Sequence, residues 1–273
     1  MTLYSHSKLS AFEQCKLKFK FRYIDKIVPE IEKTIESHLG HSVHSTLQWL
    51  YTEVKNKKIP TIEEIIIYYS EKWQESFSPE TLIINKNLTE KDYFHKGLQF
   101  LLNYYTQNHP FDDNTLEVEK KIIIKLDDKG EYQIIGFIDR LVYNLKTSRY
   151  EIHDYKTANN LPTQERINDD RQLALYSIAI KELFGHDKEV ILIWHYLAHD
   201  KKIISERTNE QLTQLKQETL ELIKQIEQTQ EFPANKTILC DWCEYKSICP
   251  AWGNRSPKQK EKQSNLGEYY FED

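Results

Sequence analysis

The chain has 273 residues, 39% of them hydrophobic and 12% aromatic, enough to bury one large core or two small ones. A formal net charge of −5 excludes a globally basic, DNA-coating protein but leaves room for a local basic groove. No uncharged apolar run approaches the roughly 18 residues of a membrane span, and the opening MTLYSHSKLS lacks the apolar segment of a signal peptide. A cytoplasmic, reducing setting is therefore expected, where four cysteines favour metal binding over disulfides.

In chain order, Ser7 is placed to cap a helix running through LSAFEQCKLKFKFRYI, whose later part interleaves Lys16, Lys18, Lys20 and Arg22 with Phe19, Phe21 and Tyr23. Such a mix suits phosphate contact and base stacking, or simply a basic amphipathic helix with its aromatics inside. Residues 39–56 carry Leu39, Val43, Leu47, Leu50 and Val54 at helical spacing, and 61–77 and 89–107 repeat the pattern. The period then changes. Residues 116–126, 131–143 and 150–157 read as three strands joined by turns at 127–130 and 144–149. A helix from about Asp170 to Phe184, a strand over 189–198 and a helix over 208–229 follow. The order predicts an α/β (α+β mixed) fold, a mixed central sheet flanked by helices, with a polar tail over 253–273.

The meander holds the first chemistry. A symmetric hairpin over 134–143 and 150–156 turns about a point between Lys146 and Thr147, making Asp139 and Asp154 direct cross-strand neighbours with Cβ atoms about 5 Å apart. Two carboxylates so placed repel unless a cation lies between them. A hard divalent ion, Mg2+ or Mn2+, suits such oxygen ligands. Lys156, two residues beyond Asp154, projects from the same face, where its ammonium can orient water or offset phosphate charge. These are parts for metal-assisted phosphodiester hydrolysis; the competing reading is a surface ion-pair cluster.

The second chemistry is CDWCEYKSICP, where Cys240, Cys243 and Cys249 form C-x2-C-x5-C. The remaining cysteine, Cys15, stands near the other end of the chain. Four thiolates suit Zn2+ or a 4Fe–4S cluster, and spacing alone leans toward zinc.

GFIDR (136–140) followed by HDYKT (153–157) resembles the G-x-x-D-R and D-Y-K-T motifs of the PD-(D/E)xK nucleases, in their RecB-like branch. Gly40 and His44 match the family's G-x-x-x-H, Gln172 and Tyr176 its Q-x-x-x-Y, and the four cysteines its iron–sulfur subset, from about residue 5 to 252. The resemblance implies a restriction-endonuclease-like core in one domain over 1–252, with a helical insertion near 55–110 and a C-terminal Fe–S clasp. It implies that His44, rather than His41 one turn earlier, joins Asp139 and Asp154 as a metal ligand, with a main-chain carbonyl next to Lys156 as a further one. Lys156 is then the water-positioning group. Gln172 is expected near Lys156 or the scissile phosphate and Tyr176 against a base or phosphate. Arg171 is expected on phosphate, and Arg140 either there or as a structural partner for a carboxylate. Glu119 lies where related nucleases often keep an acid, but ideal pairing across DDKG leaves it away from Asp139 unless a bulge intervenes.

The resemblance also shifts the cysteine reading to 4Fe–4S, as in AddB-type and CRISPR adaptation nucleases, with Zn2+ as the alternative. Closing a loop of more than two hundred residues restricts the unfolded chain by several kcal/mol, so a structural role is expected. The implied activity is a Mg2+/Mn2+-dependent deoxyribonuclease, an exonuclease on single-stranded DNA or DNA ends, in repair, recombination or CRISPR adaptation. The long stretch between His44 and Asp139 looks more like a RecB-type module than a minimal adaptation nuclease. No G-x-x-x-x-G-K-[ST] loop occurs, so besides DNA the protein is expected either to work alone or with a separate helicase or an adaptation-complex subunit, with no membrane. The alternative is a non-cleaving nucleic-acid-binding or redox-sensing scaffold.

Overall fold

Short hydroxyl and carboxylate side chains set most of the helix starts. The computed structural model describes residues 2–29 and 33–253; of the expected tail, all but Gly253 lies outside them. A short strand β1 (Thr2–Ser5) precedes α1 (His6–Gln14), which is capped not by the expected Ser7 but by Ser5, whose Oγ accepts from Lys8 N at 3.1 Å. Thr34 caps α3 (Ile35–Lys55), and reciprocal Thr61–Glu64 and Thr89–Asp92 pairs open α4 (Ile62–Ser76) and α5 (Glu90–Asn108). Each cap satisfies a backbone donor otherwise lost and stabilises its helix by about 1 kcal/mol.

The first predicted helix is not continuous. It breaks at Cys15, whose backbone is extended (φ −160°, ψ 110°), and restarts as α2 (Lys16–Phe19), running on as a wider turn over Lys20–Ile24. The sequence is periodic straight through this point, so the break reflects a tertiary tether rather than local preference.

The sheet contains β1, β2 (Thr115–Lys125), β3 (Tyr132–Asn144), β4 (Arg149–Lys156), β5 (Val190–Tyr196) and β6 (Lys201–Glu206). β2 runs antiparallel along Gln133–Val142, filling one edge of β3. The other edge is shared: β1 pairs in parallel with Tyr132–Ile135, and β4 pairs antiparallel with Arg140–Asn144. Among the described residues, Gly136–Asp139 therefore have no strand neighbour on that edge, and the sheet opens into a gap there. β5 and β6 extend the sheet beyond β4, β5 parallel to it. Both β1 and β6 escaped the sequence reading, being short and, in β6, largely exposed and charged.

Two cores flank the sheet. One joins Leu9 and Phe12 of α1 with α7 (Arg171–Phe184) and α8 (Asn209–Gln228) over Ile122, Ile134, Ile138, Ile152 and Trp194. The other joins α3, α4 and α5 with Val118, Tyr155 and Leu197. Alternate residues of a regular strand share a face. Here Ile122 faces the first core and Val118 the second, while along β3 Ile138 faces the first and Arg140, opposite Val118, reaches the second. The faces switch at Glu119 in β2, which takes a left-handed φ of 48°, and at Asp139 in β3. Gap and switch coincide, so side chains from both helical layers can meet at one point of the sheet.

Candidate active site

The β3–β4 hairpin has the expected centre, with Asn144 opposite Arg149 and Arg140 opposite His153. Continued one step, that register sets Asp139 against Asp154, but the ladder stops at Arg140. In its place the Tyr155 N–H donates to Asp139 Oδ2 at 2.9 Å. From α3, His44 reaches the same carboxylate, Nδ1 lying 3.4 Å from Asp139 Oδ2 and Nε2 2.7 Å from the Tyr155 carbonyl oxygen. A carbonyl only accepts, so Nε2 carries the hydrogen. In the neutral ring, the Nδ1 lone pair then faces a carboxylate, an arrangement that fits a cation. Gly40, one turn earlier, lies where an added Cβ would stand 3.4 Å from Thr157 Oγ1 just beyond β4, and this close approach lets α3 deliver His44.

Glu119 is brought in as well, against expectation. Ideal pairing across DDKG would set Leu126 opposite Glu131; instead Leu126 N donates to the Tyr132 carbonyl at 2.9 Å, around a longer turn with Gly130 at φ 66°. The register moves by one residue, and Val118 opposite Arg140 with Lys120 opposite Ile138 puts Glu119 level with Asp139. Ligand atoms of His44, Glu119 and Asp139 lie within 4.8 Å of one another. The donor set, one imidazole and two carboxylates, fits a divalent ion.

Asp154 is turned differently from the expected ligand triad. It is buried, and its Oδ2, wholly enclosed, lies 2.8 Å from Lys156 Nζ. Lys156 Nζ also donates to Gln172 Oε1 at 3.2 Å, so Gln172 stands beside the lysine as expected. Burial pulls the Lys156 ammonium down, but Asp154, then Asp139 and Asp170, hold it above the ordinary lysine value. Burial raises Asp139, and Asp154 adds to this; His44, the Tyr155 N–H and Lys156 oppose it, and the carboxyl stays above the usual range. Asp170, the N-cap of α7, is likewise raised by burial and then Asp154. His6, which the sequence reading passed over, opens α1 beside the gap; burial, then Arg171 and Lys156, push its imidazole down to about 4.

A sequence family described as the PD-(D/E)XK nuclease superfamily matches residues 4–250. The chain belongs to that superfamily. No curated protein matches it. Among solved structures it is similar to the crystal structure of SSO0001, with 18% identity, 86% of this chain and 94% of that chain covered, and a TM-score of 0.34. Membership makes the chain a metal-dependent nuclease, with DNA as its class of substrate. No helix among the described residues is long and apolar enough to cross a membrane.

Three candidate DNA contacts are engaged within the protein, Arg140 in the carboxylate-partner role that was its alternative reading. Arg140 is 2% exposed and has no path to a phosphate; it bonds Tyr155, Asp113, Thr115 and His153 inside the second core. Tyr176 is buried, its ring filling the space where a Cβ on Gly136 would lie 2.3 Å from Cε1, so it packs on the sheet rather than reaching a base. Arg171 is held by Glu13 of α1, 3.1 Å from Nη1 to Oε1.

Far from the carboxylates, all four cysteines are free and line one cavity of about 160 Å³. Cys15 Sγ accepts from Asn235 N and Cys240 Sγ from Thr237 N, both at 3.4 Å. Tyr245 OH donates to the Ile27 carbonyl at 3.0 Å and Lys18 pairs with Glu244 at 3.0 Å, fastening the C-terminal segment to the N-terminal helices. Burial, then Glu244 and Cys15, raise the Cys243 thiol.

Proposed function

We propose that this nuclease is a Mg2+- or Mn2+-dependent deoxyribonuclease, acting as an exonuclease on single-stranded DNA or DNA ends, in repair, recombination or CRISPR adaptation. The observation that carries this reading is the convergence of His44, Glu119 and Asp139 beside the Asp154–Lys156 pair at the gap in the sheet. His44, Asp139 and Asp154, with Glu119, would hold the ion, and the Tyr155 carbonyl stands beside His44 as a further ligand. A divalent ion there would supply Lewis acidity to a phosphodiester and activate water.

The chain's own residues do the rest. Lys156 keeps its proton at Nζ, since its neighbours hold it charged. Two of its hydrogens face Asp154 and Gln172, leaving the third to orient water or meet a phosphate oxygen. Asp139 receives the Tyr155 N–H, which fixes the direction of its free lone pairs. A separate helicase or an adaptation-complex subunit would deliver DNA ends in a cytoplasmic setting.

For the cysteines we read a 4Fe–4S cluster with a structural role. The four cysteines line one cavity, and their resemblance to the iron–sulfur subset favours the cluster over zinc.

Labelled single- and double-stranded DNA, incubated with Mn2+ and either wild type or Asp154→Ala, tests the activity. Wild type should shorten strands progressively from an end and the variant should not. Equal degradation by both, or by neither, overturns the assignment; DNA binding without cleavage would mark a scaffold instead.

A further inference from the structure

We infer that Arg140 is a positioning residue for the candidate metal site, clamping β4 on both sides of Asp154; the inference rests on the metal-dependent reading above. Beyond His153 the β3 edge of β4 has no strand partner among the described residues, while its other edge stays paired to β5 through Asp154, Tyr155 and Lys156. A strand held along one edge is free to pivot, and the residues that would move are those the site needs. Side chains from β3 replace the missing ladder. Asp139 takes the Tyr155 N–H. Arg140, the next residue, sends Nε–H to the Tyr155 hydroxyl at 2.9 Å and Nη2–H to His153 Nδ1 at 2.9 Å.

His153 and Tyr155 flank Asp154 and point to the face opposite it. One planar guanidinium thus grips both neighbours of Asp154 from behind. The grip is itself held. Arg140 stacks 4.0 Å from the Tyr51 ring centroid and pairs with Asp113, and Nη1 donates to Thr115 Oγ1 at 3.3 Å. His195 Nε2 lies 2.8 Å from the same His153 nitrogen, and Tyr104 OH lies 3.2 Å from Tyr155 OH. A guanidinium suits this work because its donors are fixed in one plane; a lysine ammonium cannot span both acceptors at once.

The clamp sets two metal-facing groups through the Tyr155 main chain: the N–H on Asp139 and the carbonyl on His44. Removing partners that orient ligands costs about 10–100-fold in metal affinity or activity. The experiment is Mn2+ binding, followed by electron paramagnetic resonance of the free ion, with strand cleavage and thermal melting on the same preparations of wild type, Arg140→Lys, Tyr155→Phe and the double variant. Tyr155→Phe keeps ring and backbone and removes the hydroxyl the clamp holds, so the test survives if Arg140→Lys fails to fold. We expect Arg140→Lys to weaken Mn2+ binding about 10–100-fold and Tyr155→Phe about tenfold, both with lower kcat and little change in KM for DNA. The double variant should be no weaker than Arg140→Lys alone. Wild-type Mn2+ affinity and kcat in Tyr155→Phe, or a melting temperature that falls in Arg140→Lys while Mn2+ affinity holds, overturns the clamp and leaves the nuclease reading intact. A wild type that neither binds Mn2+ nor cleaves overturns both.

Discussion

The Tyr155 N–H donates to Asp139 Oδ2 at 2.9 Å, so a side chain stands where the neighbouring strand's backbone ordinarily would. Asp139 is thereby spent partly on holding the strand that bears Asp154 and Lys156. Its carboxyl, raised by burial and Asp154, belongs to a site strained by its own charges when no cation is present.

Asp139→Asn should therefore raise the melting temperature of the chelator-treated protein at neutral pH while abolishing cleavage. An acid whose folded pKa exceeds its unfolded value makes the native state bind the extra proton between the two, so stability falls as pH rises through that window. The variant's gain should shrink as pH falls through that window and be gone below the unfolded carboxylate value. Melting curves from pH 3 to 8 in chelator decide it, and a gain that grows toward acid contradicts the sign.

Lys156→Gln should lower kcat about 10²–10³-fold with little change in KM, the scale of losing one preorganised charge-stabilising group. Because its neighbours hold Lys156 above the ordinary lysine value, the ammonium persists through neutral and mildly alkaline pH. An alkaline fall in kcat between pH 8 and 10 in wild type should then also appear in Lys156→Gln.

Glu119→Gln should weaken Mn2+ binding about tenfold, with helix content unchanged by circular dichroism. Wild-type affinity in this variant would return Glu119 to the fringe that sequence reasoning gave it.

The contrast with Asp139 and Asp154 shows what a sequence can and cannot disclose. Their placement at the end of one hairpin follows from a short, symmetric turn around NLKTSR, where counting outward suffices, although the ladder stops one pair short of them. Glu119 depended on the turn after it, where an extra residue slipped the register, and on its own left-handed φ; neither leaves a pattern in hydrophobic periodicity. The sequence left Arg140 open between a phosphate contact and a structural carboxylate partner, because an isolated arginine suits either. Its burial depends on Tyr51, Tyr104 and Asp113, distant in sequence and gathered only by the fold. Gly136 was legible as part of a motif, yet its use, a seat for the Tyr176 ring, required the packing of α7.

Gly136→Ala should destabilise the protein by about 1–3 kcal/mol, since the added methyl overlaps a buried ring that cannot swing away. The double variant Gly136→Ala/Tyr176→Leu should recover part of this in urea unfolding.

Protein purified anaerobically should be brown and contain iron, and Cys15→Ser should lose both colour and several degrees of melting temperature. A colourless preparation with stoichiometric zinc sinks the cluster reading.

The two ends of the chain also bear on how the molecule comes to be folded. β1 pairs with a strand about 130 residues further on, and Cys15 meets the 240–249 segment only after nearly all the described chain exists. Contacts between such distant residues form slowly, because the closure entropy is met before any contact rewards it. The nine-residue α1 links the two: one end borders the gap that receives Lys156, the other stops at Cys15. The gap beside the candidate site is thus bordered by a helix whose other end is fastened by contacts of the longest sequence separation.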